Sequence, residues 1–410
     1  MFRQLIFILA FLVSVTVAAQ PAYVFHEKGQ KLFNDKKYTE AIAQFDLAIK
    51  ADASYFEAYF DRGRANMELG KTDFALADFN KTIQLNPKYA PGFYYRGKLN
   101  EQLGNDQAAI ADYTSAIKLN PDYVDTYVRR GMLYAKTTPA PHQLAMDDFN
   151  KAISLDGKNA ELYYQRGLLY RDMNKPAEAL ADFSKAVSFD GTMAKAYFEE
   201  GKIHASQGKN ELAIAEFSKA ITLGQNGEEV YKCRAQVFVA TGKDAEALKD
   251  YSQLIEVMRS QDAEVFRARG DLFLKQKNYP SAIKDYNRAL TLRKDDVPTL
   301  LSRASCYSAL GKTKYLAAET DYKKALSLDP NNITAARGLA TIYFEQEKWQ
   351  LCADQLTTVI KNGGNGDDYD KRGKCNFKLN NKKAACEDFT KAEQLGNKDA
   401  TTDKMSAGCK

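Results

Sequence analysis

Few side chains in this sequence are suited to chemistry, and they are scattered. The three histidines are His26, His142 and His204. The run His26-Glu27-Lys28-Gly29-Gln30 lacks the second histidine, one helical turn on, that a zinc protease needs. No C-x-x-C or clustered Cys/His spacing offers four soft ligands to zinc, and no G-x-S-x-G turn lifts a serine nucleophile. Gly70-Lys71-Thr72 and Gly311-Lys312-Thr313 look like the end of a phosphate loop. Ala65 and Cys306 stand where that loop needs its first glycine, so the backbone could not close around phosphate. The chemistry-bearing residues therefore read as non-catalytic, with no cofactor and no metal. Cysteine is the exception in its placement. Five of the six lie beyond residue 300: Cys306, Cys352, Cys375, Cys386 and Cys409.

Charge gives no nucleic-acid signal. The formal net charge is +5, and the segment 371–410 alone carries ten Lys or Arg against five Asp or Glu. The excess is a solvated basic end, whereas a nucleic-acid binder shows a basic stripe along a face.

The elements that position these residues repeat. Small residues recur at Gly29, Gly63, Gly97, Gly131, Gly167, Gly201, Ala235, Gly270, Ala304, Ala340 and Gly373, mostly 34 residues apart. With each unit numbered so that this residue is position 8, units start near 22, 56, 90, 124, 160, 194, 228, 263, 297, 333 and 366. Position 20 is Ala in ten units and Cys352 in the other, and position 24 is aromatic in ten, as in Phe45, Phe79, Tyr113 and Phe149. Apolar residues at helical spacing, such as Ala41, Ile42, Phe45, Ala48 and Ile49, mark buried faces. Positions 8, 20 and 27 are read as the close crossing of two helices, and position 24 as the filler between neighbouring hairpins. Units four and nine carry two extra residues, near Pro139 to His142 and Thr313 to Tyr315.

Position 7 is Arg in the eight units that have Asp at position 23. The pairs are Arg62 with Asp78, Arg96 with Asp112, Arg130 with Asp148 and Arg166 with Asp182, then Arg234, Arg269, Arg303 and Arg372 with Asp250, Asp285, Asp321 and Asp388. Units without the Arg also lack the Asp, carrying Lys28 with Gln44, Glu200 with Glu216 and Leu339 with Gln355. This co-variation within one chain implies a structural salt bridge inside each hairpin, with a ligand-binding arginine ladder as the alternative.

Residues 1–19 read as a secretory signal peptide: Arg3, an apolar run from Leu5 to Val15, then Val17-Ala18-Ala19. The run is short for a membrane span, which needs about 20 residues, although an uncleaved anchor is the alternative. Cleavage after Ala19 would leave a periplasmic or secreted protein with no membrane span.

The spacing and residue set over residues 22–399 resemble the tetratricopeptide repeat family. The resemblance implies an all-α fold, a right-handed superhelical solenoid of about eleven antiparallel helix hairpins. Residues 20–399 form the array and 400–410 a capping segment. Units that read R-G followed by A-x-x-D-F/Y, with Ala385-Cys386-Glu387-Asp388-Phe389 and Cys409 at the end, resemble secreted members from Bacteroidota-like bacteria. Family chaperone clamps need Lys, Asn and Asn at set positions. Here the only Lys at position 5, Lys232, is followed by Gln236 and Ala268, so that clamp is not matched.

The resemblance implies a non-catalytic scaffold or adaptor that binds other proteins or peptides in a concave groove lined by first helices. A module that reads glycan or cell-wall fragments is the alternative. Phe60, Arg64, Tyr94, Lys98, Tyr164, Phe198 and Lys202, at positions 5 and 9, would line the groove, unless the aromatics pack between neighbouring first helices. Cys386–Cys409 and Cys352–Cys375 are the candidate disulfides, with small buried thiols as the alternative.

Overall fold

The structure, a computed structural model, describes residues 20–137 and 141–409. The proposed leader and Pro139 of the first insertion lie outside the described residues. Among the described residues every regular element is helical. The chain divides into two compact units, 1–196 and 197–410, with the boundary inside helix Ala194–Ser206. Hairpins one to five, at 22–51, 56–85, 90–119, 124–155 and 160–189, make up the first unit. Hairpin six, 194–222, starts at the boundary. Hairpins seven to eleven, at 228–257, 263–292, 297–328, 333–361 and 366–394, make up the second, closed by helix Asp399–Ser406.

In ten of the hairpins a left-handed residue turns the chain between the two helices. Gly70, Gly104, Gly208, Gly242 and Gly311 supply it with φ of 70–89°, where glycine meets no Cβ penalty. Irregular lengths are absorbed locally. Hairpin seven ends in a π-helix, Gln253–Val257, around buried Leu254, where most hairpins have Ala. In hairpin nine a 3₁₀ turn, Lys312–Lys314, takes up the inserted residues.

The two helices of a hairpin are fixed by one recurring contact. Where position 8 is glycine, the ring at position 24 packs against the backbone there, within its own hairpin. A Cβ on Gly167 would stand 2.6 Å from Phe183 Cε1, and the same holds at 2.4–2.8 Å for Gly29 on Phe45, Gly63 on Phe79, Gly97 on Tyr113 and Gly270 on Tyr286. The same rings also pack on the next hairpin, as the reading of position 24 as filler expected: Phe45 clusters with Ala65, Phe79 with Leu99, Tyr113 with Leu133 and Phe149 with Leu169. Phe45, Phe79, Tyr113, Phe183, Phe217 and Tyr286 are fully buried there. Where position 8 is Ala304, the ring of Tyr322 lies instead against Gly338 of the next hairpin, whose Cβ would stand 2.4 Å away. Where position 8 is Ala340, position 24 shrinks to Leu356.

Successive first helices also touch, as Ala22–Asn34 touches Phe56–Glu68, and that helix touches Ala90–Gln102. Within each unit, second helices pack on their own first helix and on the next hairpin's first helix. Within each unit this gives two layers, one of first helices and one of second helices.

The seat can be tested by overfilling it. Gly167→Ala should lower stability by about 1–3 kcal/mol, the usual range for an overpacked core. Adding Phe183→Leu, which copies the Ala340–Leu356 pairing, should recover part of that loss. Strictly additive effects in denaturant melts would mean the ring is not seated on Gly167.

Candidate functional site

Six of the eight arginines at position 7 precede the glycine of the hairpin seat, and Arg234 and Arg303 precede Ala235 and Ala304. With position 8 pressed on the ring at position 24, residues 7 and 23 stand opposite each other across the two helices. Arg166 Nε and Nη2 donate to Asp182 Oδ2 and Oδ1 at 2.7 and 2.8 Å. Bidentate pairs of 2.6–3.0 Å join Arg62 to Asp78, Arg96 to Asp112 and Arg130 to Asp148. Arg234, Arg269, Arg303 and Arg372 hold Asp250, Asp285, Asp321 and Asp388 in the same way. The aspartates are buried. Burial pushes the Asp78 and Asp148 carboxyls above their ordinary range, against the pull of their arginines. Asn66, Asn100 and Asn376 add a second donor to Asp78, Asp112 and Asp388.

The third arginine nitrogen does something the sequence reading missed. Nη1 donates to the residue at position 25 of the preceding hairpin: Arg62 to Asp46, Arg96 to Asn80, Arg130 to Thr114 and Arg166 to Asn150, at 2.6–2.9 Å. Arg234, Arg269, Arg303 and Arg372 reach Ser218, Ser252, Asn287 and Thr357. One guanidinium thus closes its own hairpin and clips it to the one before. The signal was present in the sequence. Position 25 carries a short oxygen-bearing side chain before each of these arginines, and it is Lys323 before Leu339.

The position-5 aromatics do not line an open groove. Phe60, Tyr94 and Phe198 are buried, at 5–6% exposure. The correction has a physical cause: successive first helices touch, so position 5 is covered by the start of the next one. Phe60 packs edge-on against Tyr89 and Tyr95 at 5.1 and 5.3 Å between centroids. Tyr94 donates its hydroxyl to Asp125 at 2.7 Å and accepts from Arg129 Nε at 3.2 Å. Burial, then Asp125, pushes that hydroxyl up to about 12, so it remains a donor. The same reach recurs with other chemistry: Lys232 to Asp262 and Glu264 at 2.6 and 2.8 Å, and Arg337 bidentate to Asp368 at 2.7 and 2.8 Å. His26, also at position 5, is buried against Asp61 at 2.8 Å and Tyr55 at 3.2 Å. Although burial opposes it, the bonds from His26, Gln30 and Arg64 hold Asp61 below the usual carboxylate range.

The position-9 cations are nearer the surface. Arg64 donates to Asp61 at 2.9 Å and lies over Phe33, Phe60 and Tyr95, at 4.5, 5.7 and 5.3 Å from their centroids. Lys202 pairs with Glu199 at 2.7 Å and covers Phe198 at 4.7 Å. Half-buried Tyr164 carries Lys195 over its ring at 4.3 Å, and Lys195 is paired with Glu161. Lys98 is half-exposed, 5.8 Å over Tyr95, and has no ion-pair partner among the described residues. Of the sequence-proposed cations it is the one left to meet a partner, and Tyr95, which the sequence reading passed over, stands between it and Arg64.

The four cysteines of the candidate disulfides lie in the last two hairpins and the segment after them. Cys386, on the second helix of hairpin eleven, is disulfide-bonded to Cys409, which lies just past helix Asp399–Ser406. Cys352 and Cys375 are thiols in contact, not bonded, 2.8 Å apart.

Antiparallel helix pairs of constant period, closed by a small residue and a ring, define a helical-hairpin repeat array. Signatures described as tetratricopeptide repeat match residues 26–90, 160–192, 194–225, 234–297 and 297–332, and one described as TPR repeat matches 102–137, together more than half of the chain. The chain belongs to the tetratricopeptide repeat family. No curated protein matches it. Among solved structures it is similar to MamA, at 27% identity over 42% of this chain and 94% of that one, with a TM-score of 0.38. It is also similar to YrrB, described as a TPR protein with an unusual peptide-binding site, at 20% identity over 46% and 97%, with a TM-score of 0.41. The C-terminal part of a TPR repeat-containing protein from Cytophaga hutchinsonii matches at 19% identity over 77% and 99%, with a TM-score of 0.44.

The two-sided clip predicts a specific failure. Arg166→Ala should cost about 3 kcal/mol, since it strands the buried Asp182 carboxylate. Arg166→Lys should recover little of this, because one ammonium cannot span Asp182 and Asn150 as a planar fork does. Full recovery by lysine in urea melts would mean that charge alone, without the fork, holds the hairpins.

Proposed function

We propose that this protein is a non-catalytic scaffold that docks segments of other proteins on the exposed face of its first helices. The observation that carries this reading is a contrast between two positions. Position 24 is aromatic in ten of eleven hairpins and buried throughout. Position 9 runs Gln30, Arg64, Lys98, Met132, Leu168, Lys202, Gln236, Asp271, Ser305, Thr341 and Lys374, and none of these is buried. An invariant core thus carries a face whose chemistry changes from one hairpin to the next. That is what a chain needs to recognise an extended partner residue by residue. Family membership supports protein segments as the partner class.

In hairpins two and three Lys98, Tyr95 and the rim of Arg64 favour an acidic stretch, through charge-assisted hydrogen bonds and stacking. The reading extends to location: the residue pattern of 1–19 and the Cys386–Cys409 bond both support export to an oxidising compartment.

Two measurements test this. A photo-crosslinking residue at Lys98 or Gln236 should give discrete protein adducts in the producing cell, and one at Lys81 on the second-helix layer should not. Equal adducts from both layers would overturn the assignment of the face, and retention of the chain on purified cell wall without protein adducts would favour glycan binding. Separately, the intact mass of exported protein should begin at Gln20, and a mass that retains residues 1–19 would overturn processing.

A further inference from the structure

Hairpin ten lacks both the arginine clip and a ring of its own at position 24, whereas every other hairpin has at least one of them. Position 7 is Leu339 and position 23 is Gln355, so it has no arginine clip. Lys323 stands at position 25 of the preceding hairpin, where the clip would land. Position 8 is Ala340 and position 24 is Leu356, so it has no ring of its own on a glycine, and the ring on its Gly338 is Tyr322 of the hairpin before. It is also the hairpin whose position 20 is Cys352 instead of Ala.

Cys352 lies on helix Trp349–Lys361 and Cys375 on helix Gly366–Lys378, the first helix of hairpin eleven. Both are fully buried, and the Cys375 thiol donates to the Cys352 sulfur at 2.8 Å. The bonded pair Cys386–Cys409 is separated by 23 residues, as are Cys352 and Cys375. Each bonded cysteine lies one 34-residue step beyond its counterpart. The same 23-residue spacing therefore occurs twice, once closed and once open, with Cys352 at position 20 of its hairpin and Cys386 at position 21.

We propose that Cys352 and Cys375 form a second disulfide, made by exchange with a disulfide-bearing oxidant, which locks hairpin ten to hairpin eleven. The Cys352 thiolate attacks one sulfur of the oxidant, giving a mixed disulfide and releasing the oxidant's other sulfur as a thiol. Cys375 gives up its proton and attacks Cys352 Sγ, expelling the remaining oxidant sulfur. The chain loses two electrons and two protons, and the oxidant's disulfide becomes two thiols. The order of attack follows from the contact. The bond from Cys375, outweighing burial, holds the Cys352 thiol below its ordinary range, and the same contact, aided by burial, pushes Cys375 up. Buried sulfurs meet the oxidant through local opening of the helices that carry them.

The test uses the full chain, reduced and then equilibrated with oxidised glutathione. After acid quench, denaturation and alkylation with N-ethylmaleimide, digestion should yield a 352–375 linked peptide pair. Of the six cysteines, Cys233 and Cys306 alone should take up maleimide. Alkylation of both Cys352 and Cys375 while Cys386–Cys409 is linked would overturn the proposal, as would a glutathione adduct on Cys352 that never resolves. Amide exchange in helix Trp349–Lys361 should slow on the order of a hundredfold on oxidation. Cys352→Ala, which restores the residue of the other hairpins, should abolish that difference. Linked peptides with unchanged exchange would refute the locking role.

Discussion

The structure depends on how closely two helices approach at position 8. An aromatic ring can lie on a helix backbone only where no Cβ stands in the way, and at Gly167 the missing Cβ would be 2.6 Å from Phe183. That seat sets the distance between the helices of a hairpin, and the neighbouring residues inherit it. Positions 7 and 23 flank the glycine and the ring, so their side chains face each other at the range a guanidinium and a carboxylate need. Position 25, one residue past the ring, faces the next hairpin and receives the third nitrogen of its arginine. Where a hairpin has its aspartate and the next has its arginine, three consecutive residues on the second helix thus close one hairpin and attach the next.

This economy has consequences where a residue departs from it. Tyr322, denied a glycine by Ala304, finds Gly338 one hairpin on. Hairpin seven takes Leu254 in place of a small residue and ends in a π-helix. Hairpin ten loses ring and clip together, and two sulfurs meet beside it. Because each hairpin contacts only its neighbours, such exceptions stay local.

Polar chemistry on the first-helix layer has two uses that look alike in sequence. At position 5 it stitches one first helix to the next, whether by the Tyr94 hydroxyl on Asp125 or the Lys232 ammonium on Glu264. At position 9, about one helical turn further along, the side chain is not buried and reaches solvent. A partner would meet the second set and leave the first untouched.

The period, the helix pairs and the all-α fold were legible in the sequence, because the close helix crossing allows only small residues at positions 8 and 20 and a ring at 24, and those constraints recur within one chain. The pairing of positions 7 and 23 was legible for the same reason: the two residues change together from hairpin to hairpin. What the tertiary structure decided was everything set by a neighbouring hairpin. The burial of Phe60 and Phe198 depends on where the next first helix lies, which no spacing within a unit reveals. Whether Lys98 is paired depends on which carboxylates the turns bring near it. Local periodicity records the contacts a unit makes with itself, whereas the stacking of units places side chains across distances that the sequence does not encode one residue at a time.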